Sequence, residues 1–209
     1  MSLSNEALLY LGADGVAPRD KKLSMGIAVP GRDVSVDLKA LSGVLVAAAV
    51  WSLRESGAAT VAVEAKKGLF GSKARVAVRP GNGHPASDLQ KGLLASANAK
   101  DPWAKELVYR WLGDESMNPW RAAIAPVEAE LVQAGLLTPE DPKGFAGKLG
   151  AFAKGGIAML PNAAAIAAHA GEVADAVGRW QAFTANEAEL AQALVKECRD
   201  GIDNRMDTD

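Results

Sequence analysis

The chain has 209 residues, 49% of them hydrophobic and 23% charged, a balance that excludes extended disorder and is enough to build a core. Its 23 basic and 25 acidic side chains leave a formal charge of -2, so the chain as a whole has no bias toward nucleic acid. A single cysteine, Cys198, with His84 and His169 as the two histidines, excludes an internal disulfide framework and any cluster with zinc-ligand spacing; no metal or other cofactor is implied.

In chain order, Met1 to Glu6 lacks a basic, apolar leader. The most apolar stretch, Leu41 to Leu53, falls short of the roughly 20 residues that cross a bilayer. The expectation is a cytoplasmic protein, or one peripheral on a membrane. Glu6 to Leu11 is a short apolar run that reads as a strand or as a helical turn, because periodicity does not decide at that length. From Leu38 to Ser56, Leu41, Val44, Leu45, Ala48 and Trp51 recur at three- and four-residue steps before Gly57, which predicts a long helix.

Two alternating segments follow, Thr60 to Ala65 and Ala74 to Arg79, joined by Lys66-Lys-Gly-Leu-Phe-Gly-Ser-Lys73. They predict a β-hairpin whose glycines serve the turn. Ser87 and Gln90 have capping-box spacing and predict a helix to about Asn98. Asp101-Pro102 and Asn118-Pro119 each read as a helix opening, with Gly113 closing the first of these helices and Gly135 ending the second region. Pro126 should kink the latter or start it anew. Residues 143–161 interleave glycines with Phe145, Leu149, Phe152, Ile157 and Met159, which predicts an apolar hairpin or loop. Asn162 to Phe183 reads as helix, Thr184 and Glu187 as a second capping box, and Leu190, Leu194, Val195 and Cys198 as the apolar face of a terminal helix. The tail 200–209 should fray. These elements predict one compact domain of mainly α, α+β class, with a winged-helix-like core and one or two β-hairpins.

Groupings suited to catalysis are weak throughout the sequence, and His84 between Gly83 and Pro85 reads as an exposed turn histidine ahead of a general base. The histidines lie far apart, no nucleophile elbow occurs, and Gly68 to Lys73 lacks the ending of a phosphate loop, so the expectation is a non-enzymatic protein. Glu128 and Glu130, like Asp114 and Glu115, read as solvated charges because near neighbours do not share a helix face. The hairpin is more informative. Lys66, Lys67, Lys73, Arg75 and Arg79 face one nearby acid, Glu64, and Leu69 and Phe70 sit at the tip between the lysines. Cations flanking apolar tip residues suit an anionic bilayer surface, with Leu69 and Phe70 dipping into it. A DNA-binding wing or a solvated hairpin would carry the same lysines.

Gly113-Asp-Glu-Ser-Met-Asn-Pro-Trp120, followed by Val127-Glu-Ala-Glu-Leu-Val-Gln-Ala-Gly-Leu-Leu-Thr138, resembles the Golgi phosphoprotein 3-like family. There a Gly-x-Glu/Thr-Asn-Pro segment precedes a helix ending in Leu-Val-x-x-Gly-Leu/Val-Leu-Thr. The resemblance spans about residues 5–140 and extends to the order of the early Leu-rich segment, the Ala/Leu helix and the basic hairpin. It implies a mostly helical peripheral membrane protein that binds an anionic phosphoinositide headgroup and self-associates through a later hairpin, here at Phe145 to Pro161. Of the headgroup arginines in that family, Arg121 matches the first of a helical pair. Ile124 stands at the second and Ser42 near an earlier one, and no tryptophan precedes Leu38. What carries over is binding of anionic lipid through Arg121 and the hairpin cations Lys66, Lys67, Lys73 and Arg75. The alternatives are a winged-helix DNA-binding regulator, which the acids Glu128 and Glu130 disfavour, and an oligomeric scaffold using 143–161.

Overall fold

The computed structural model describes residues 2–20, 25–68, 71–113, 118–140 and 158–205, with the backbone alone for 66–68, 71 and 72. The described elements are mainly helical, with short antiparallel strands. The mainly α, α+β class is therefore the observed one. The helices are α1 (Asn5–Leu11), α2 (Leu38–Glu55), α3 (Asp88–Ala95), α4 (Ala104–Leu112), α5 (Pro119–Gln133), α6 (Ala163–Ala168), α7 (Ala170–Asn186) and α8 (Ala188–Asp203). The strands pair in sequence order, β1 (Gly26–Ala28) with β2 (Ser35–Asp37), β3 (Ala59–Gly68) with β4 (Gly71–Pro80), and β5 (Leu137–Pro139) with β6 (Met159–Pro161).

Helix α2 is the axis of the core. The Asp37 carboxylate accepts from the Ala40 amide at 2.8 Å and opens it, and Gly57 at φ 69° closes it. Every residue from Leu41 to Leu53 is buried, so this helix is covered all round rather than along one stripe. Helices α1, α3, α5 and α8 and strand β3 pack around it. Its alanines and serines admit close neighbours, and the Ser42 hydroxyl satisfies itself by donating to the Lys39 carbonyl at 3.0 Å. At its far end Trp51 stacks on Phe183 with ring centroids 5.3 Å apart and meets Trp180 edge-on at 5.9 Å. Trp120 is buried as well, and its Nε1–H donates to Asp203 at 2.6 Å.

Several elements depart from the sequence reading. Glu6 to Leu11 is helical because the Ser4 hydroxyl caps it by accepting from Ala7 N–H at 3.2 Å. Helix α4 starts two residues beyond Asp101-Pro102. The Asp101 carboxylate is taken by Arg110 at 2.9 Å instead of capping. Pro126 does not divide α5, which runs unbroken from Pro119 to Gln133. Ala122, whose carbonyl loses its amide partner there, is a partly buried residue. The expected helix from Asn162 is two helices meeting at His169. Thr184 lies inside α7, its hydroxyl donating to Gln181 O at 2.8 Å, so no capping box forms with Glu187.

The tail does not fray at Asp200. Gly201 and Ile202 are buried in α8. Arg205 donates to the Tyr109 carbonyl at 2.9 Å and lies over the Tyr109 ring. Of the Gly-rich segment 143–161, residues 143–157 lie outside the described residues, as do Leu69 and Phe70, while Met159–Pro161 forms β6.

Candidate functional site

The basic hairpin forms as expected and is longer at both ends, in register from Ala59 opposite Pro80 to Gly68 opposite Gly71. Val61, Val76 and Val78 turn one face of it into the core. At its base, the Val78 amide donates to Pro102 O at 2.7 Å, and Ala77 bridges to Trp103. Gly81 and Gly83 lie so close to the Gly57 turn that a Cβ on Gly83 would stand 2.1 Å from the Ser56 carbonyl oxygen.

The five hairpin cations divide into two groups. Arg75 is largely buried: Nε donates to Glu197 Oε1 at 2.5 Å, Nη2 to Glu197 Oε2 at 3.0 Å, and Nη2 also to Glu106 Oε2 at 2.6 Å. Its side chain is 12% exposed, that of Glu197 9% and that of Glu106 30%. Glu197 also accepts from the backbone amides of Val76 at 3.2 Å and Lys105 at 3.3 Å. Burial works against the charge on Arg75, and the two carboxylates more than offset it, holding its pKa above the usual arginine value. Arg79 forks onto Glu64 at 2.5 and 2.8 Å on the exposed side. Both arginines are thus neutralised within the fold. Lys73 is exposed. The backbone register sets Lys66 opposite Lys73 and Lys67 opposite Ser72 at the end remote from the body.

Arg121 is not part of this group. The Asn118 side chain caps α5 by accepting from the Arg121 amide at 3.0 Å. The guanidinium turns inward to Glu128, at 3.1 and 3.2 Å, and the Tyr10 hydroxyl donates to the same carboxylate at 2.7 Å. Glu128 is buried, contrary to its reading as a solvated charge. Desolvation raises its pKa while Arg121 and Tyr10 pull it down. Burial likewise raises the phenol of Tyr10 well above its ordinary value. Glu130 also points inward, accepting from the Ser4 hydroxyl at 2.8 Å. Buried Glu6 accepts from the Ser87 hydroxyl and from the Gln90 amide at 3.1 and 3.2 Å, and desolvation raises its pKa. Ser87 therefore caps α3 by accepting from the Gln90 backbone amide at 3.2 Å, the Gln90 side chain reaches back one residue further to the Ala86 amide at 2.8 Å, and the pair also satisfies a carboxylate of α1.

Among the described residues, no nucleophile and base are brought together at a cavity. His84 is exposed in its loop. Cys198 is fully buried, and desolvation pushes its thiol far above the ordinary range. Among the described residues no group of three His, Cys, Asp or Glu could hold a metal ion, and no helix is long and apolar enough to cross a membrane. A cleft of about 350 Å³ lies between α7, α6 and the Gly31 turn, with the Asp14–Arg32 ion pair at its rim.

No protein-family model matches the chain, and neither a curated protein nor a solved structure matches it. The likeness to Golgi phosphoprotein 3-like proteins therefore stands on the sequence motifs. The sequence reading missed Glu106 and Glu197 as partners of Arg75, because they lie 31 and 122 residues away from it. One signal is present: Glu197 sits between Leu194 and Gly201 on the buried face of α8, where an acid needs a partner.

Proposed function

We propose that this is a non-enzymatic peripheral membrane or adaptor protein, similar in kind to the Golgi phosphoprotein 3-like proteins, whose β3–β4 hairpin holds anionic lipid headgroups. One observation carries the reading: with Arg75 paired to a buried carboxylate and Arg79 to Glu64 across the strands, the remaining hairpin cations, Lys66, Lys67 and Lys73, gather at register positions beside the tip. Leu69 and Phe70 follow directly in sequence. A lysine near an anionic bilayer surface contributes about 1 kcal/mol, and apolar tip residues add burial in the interface. Arg121 and Arg75 drop out of the headgroup set because their donors serve buried carboxylates.

Flotation with neutral and with phosphatidylserine- or phosphoinositide-containing vesicles tests this. Anionic vesicles should capture the protein at low salt, and raised salt should release it. Lys66→Glu/Lys67→Glu and Phe70→Ala should each lose most of the capture. Capture unaffected by these substitutions would refute the reading, and displacement by duplex DNA would reduce it to generic polyanion binding. The winged-helix alternative gains nothing from α5, where Arg121 is the one cation and it is turned onto Glu128.

A further inference from the structure

We propose that Glu197 is the positioning residue of the hairpin, a buried carboxylate that fixes the direction in which the lysine-bearing end leaves the body. This rests on the lipid reading above. Glu197 touches the two surfaces that must be held together. Its Oε1 takes Arg75 Nε at 2.5 Å and Val76 N–H at 3.2 Å, both on β4. Its Oε2 takes Arg75 Nη2 at 3.0 Å and Lys105 N–H at 3.3 Å, the latter in the first turn of α4. Four donors from a strand and a helix thus converge on one carboxylate carried by a third element, α8. Glu106 closes the group by taking Arg75 from the α4 side at 2.6 Å, and the Arg75 guanidinium lies 5.7 Å from the centre of the Trp103 ring.

The location gives this cluster its leverage. Lys73 stands two residues from Arg75, about 7 Å along the strand at the usual rise. Lys66 is its register partner. A two-stranded ribbon is marginal on its own in water, so the pose of its outer end depends on where the ribbon is anchored. The Val78–Pro102 hydrogen bond secures the inner end. The Arg75–Glu197 pair is the polar anchor beside the cations, and its charged, two-pronged geometry constrains direction as well as distance.

The experiment compares Glu197→Gln with Lys66→Glu/Lys67→Glu in the full chain, using the vesicles above and hydrogen exchange on the free protein. Glutamine keeps the volume and one acceptor oxygen but removes the charge that holds Arg75. The expected result for Glu197→Gln is about tenfold faster exchange at the Val76 amide. Vesicle affinity per folded molecule should fall about fivefold, because the cations are no longer pre-oriented. The slope of binding against salt should stay unchanged, since the number of cations is unchanged. A merely destabilised protein, corrected for its folded fraction, would show no such fall in affinity. Wild-type exchange at Val76 or wild-type affinity in Glu197→Gln, with binding lost in the lysine variant, would overturn the positioning role and leave the lipid reading standing. Wild-type binding by the lysine variant would overturn the lipid reading, and the positioning proposal that rests on it. If Glu197→Gln does not fold, Glu106→Gln, which frees only the outer arm of Arg75, should show the same pattern at smaller size, and its absence there would also overturn the proposal.

Discussion

A cation that looks available in a sequence can be fully employed in the fold. Arg121 is the residue that the motif resemblance singles out for a headgroup, yet its side chain is 17% exposed and lies against a Glu128 side chain that is 5% exposed. Removing one partner of a buried ion pair leaves the other charge without compensation, at a cost of about 3–5 kcal/mol. Arg121→Ala should therefore lower the thermal midpoint markedly, while vesicle capture of the folded fraction stays at the wild-type level; differential scanning calorimetry beside flotation separates the two. Loss of capture without loss of stability would return Arg121 to the binding surface. The same contrast explains what a sequence does and does not disclose. Asn118 is legible as a cap because its partner, the Arg121 amide, is three residues away. Ser87 for Glu6, Tyr10 for Glu128 and Glu197 for Arg75 are brought up by tertiary folding from 81, 118 and 122 residues away, and no local pattern announces them.

At the scale of elements, the reliable signals are those whose physics is local. Alternation predicts β3 and β4, periodicity predicts α2, and the Ser87–Gln90 spacing predicts α3, and all four form. The signals that fail have a tertiary competitor. Asp101 is diverted from capping α4 by Arg110, and the tail is drawn into α8 by the burial of Ile202. Strands β1 and β2, only three residues each, lie beneath the length at which alternation is informative. The crossing of α4 and α8 shows how tightly these elements are fitted. A Cβ built on Gly201 would sit 2.6 Å from the Lys105 carbonyl oxygen and 2.9 Å from Val108 Cβ. Backbone cannot swing aside as a side chain can, so Gly201→Ala should force the two helices apart and cost about 1–3 kcal/mol. Urea unfolding measures this, and a midpoint equal to wild type would show that the crossing yields more easily than its geometry implies.

Over the whole molecule, charge is segregated by use and not by sign alone. The net charge of -2 conceals a body in which Arg75 and Arg121 tie elements together through the buried carboxylates of Glu197 and Glu128, and a hairpin end that carries Lys66, Lys67 and Lys73. This division suits the two side chains. The guanidinium is a planar fork matched to carboxylates, and the lysine ammonium is a flexible point charge that a fluid anionic surface can meet in many poses. The class of fold is readable from the sequence, as is the hairpin, but the division of labour among its cations is not, because it depends on which of them reach α4 and α8.

Cys198 has a practical consequence in this setting. It is the one thiol in the chain, it is wholly enclosed on α8 next to Glu197, and its ionisation is suppressed by burial. Alkylation must therefore wait for that helix to leave the core, and one chemical label becomes a clock for the opening of the helix that carries the hairpin's anchor. Native protein should react with iodoacetamide orders of magnitude more slowly than urea-unfolded protein, with vesicle-bound protein slower still if binding and opening exclude each other. A labelling rate near that of the unfolded chain would mean that α8 is open for much of the time.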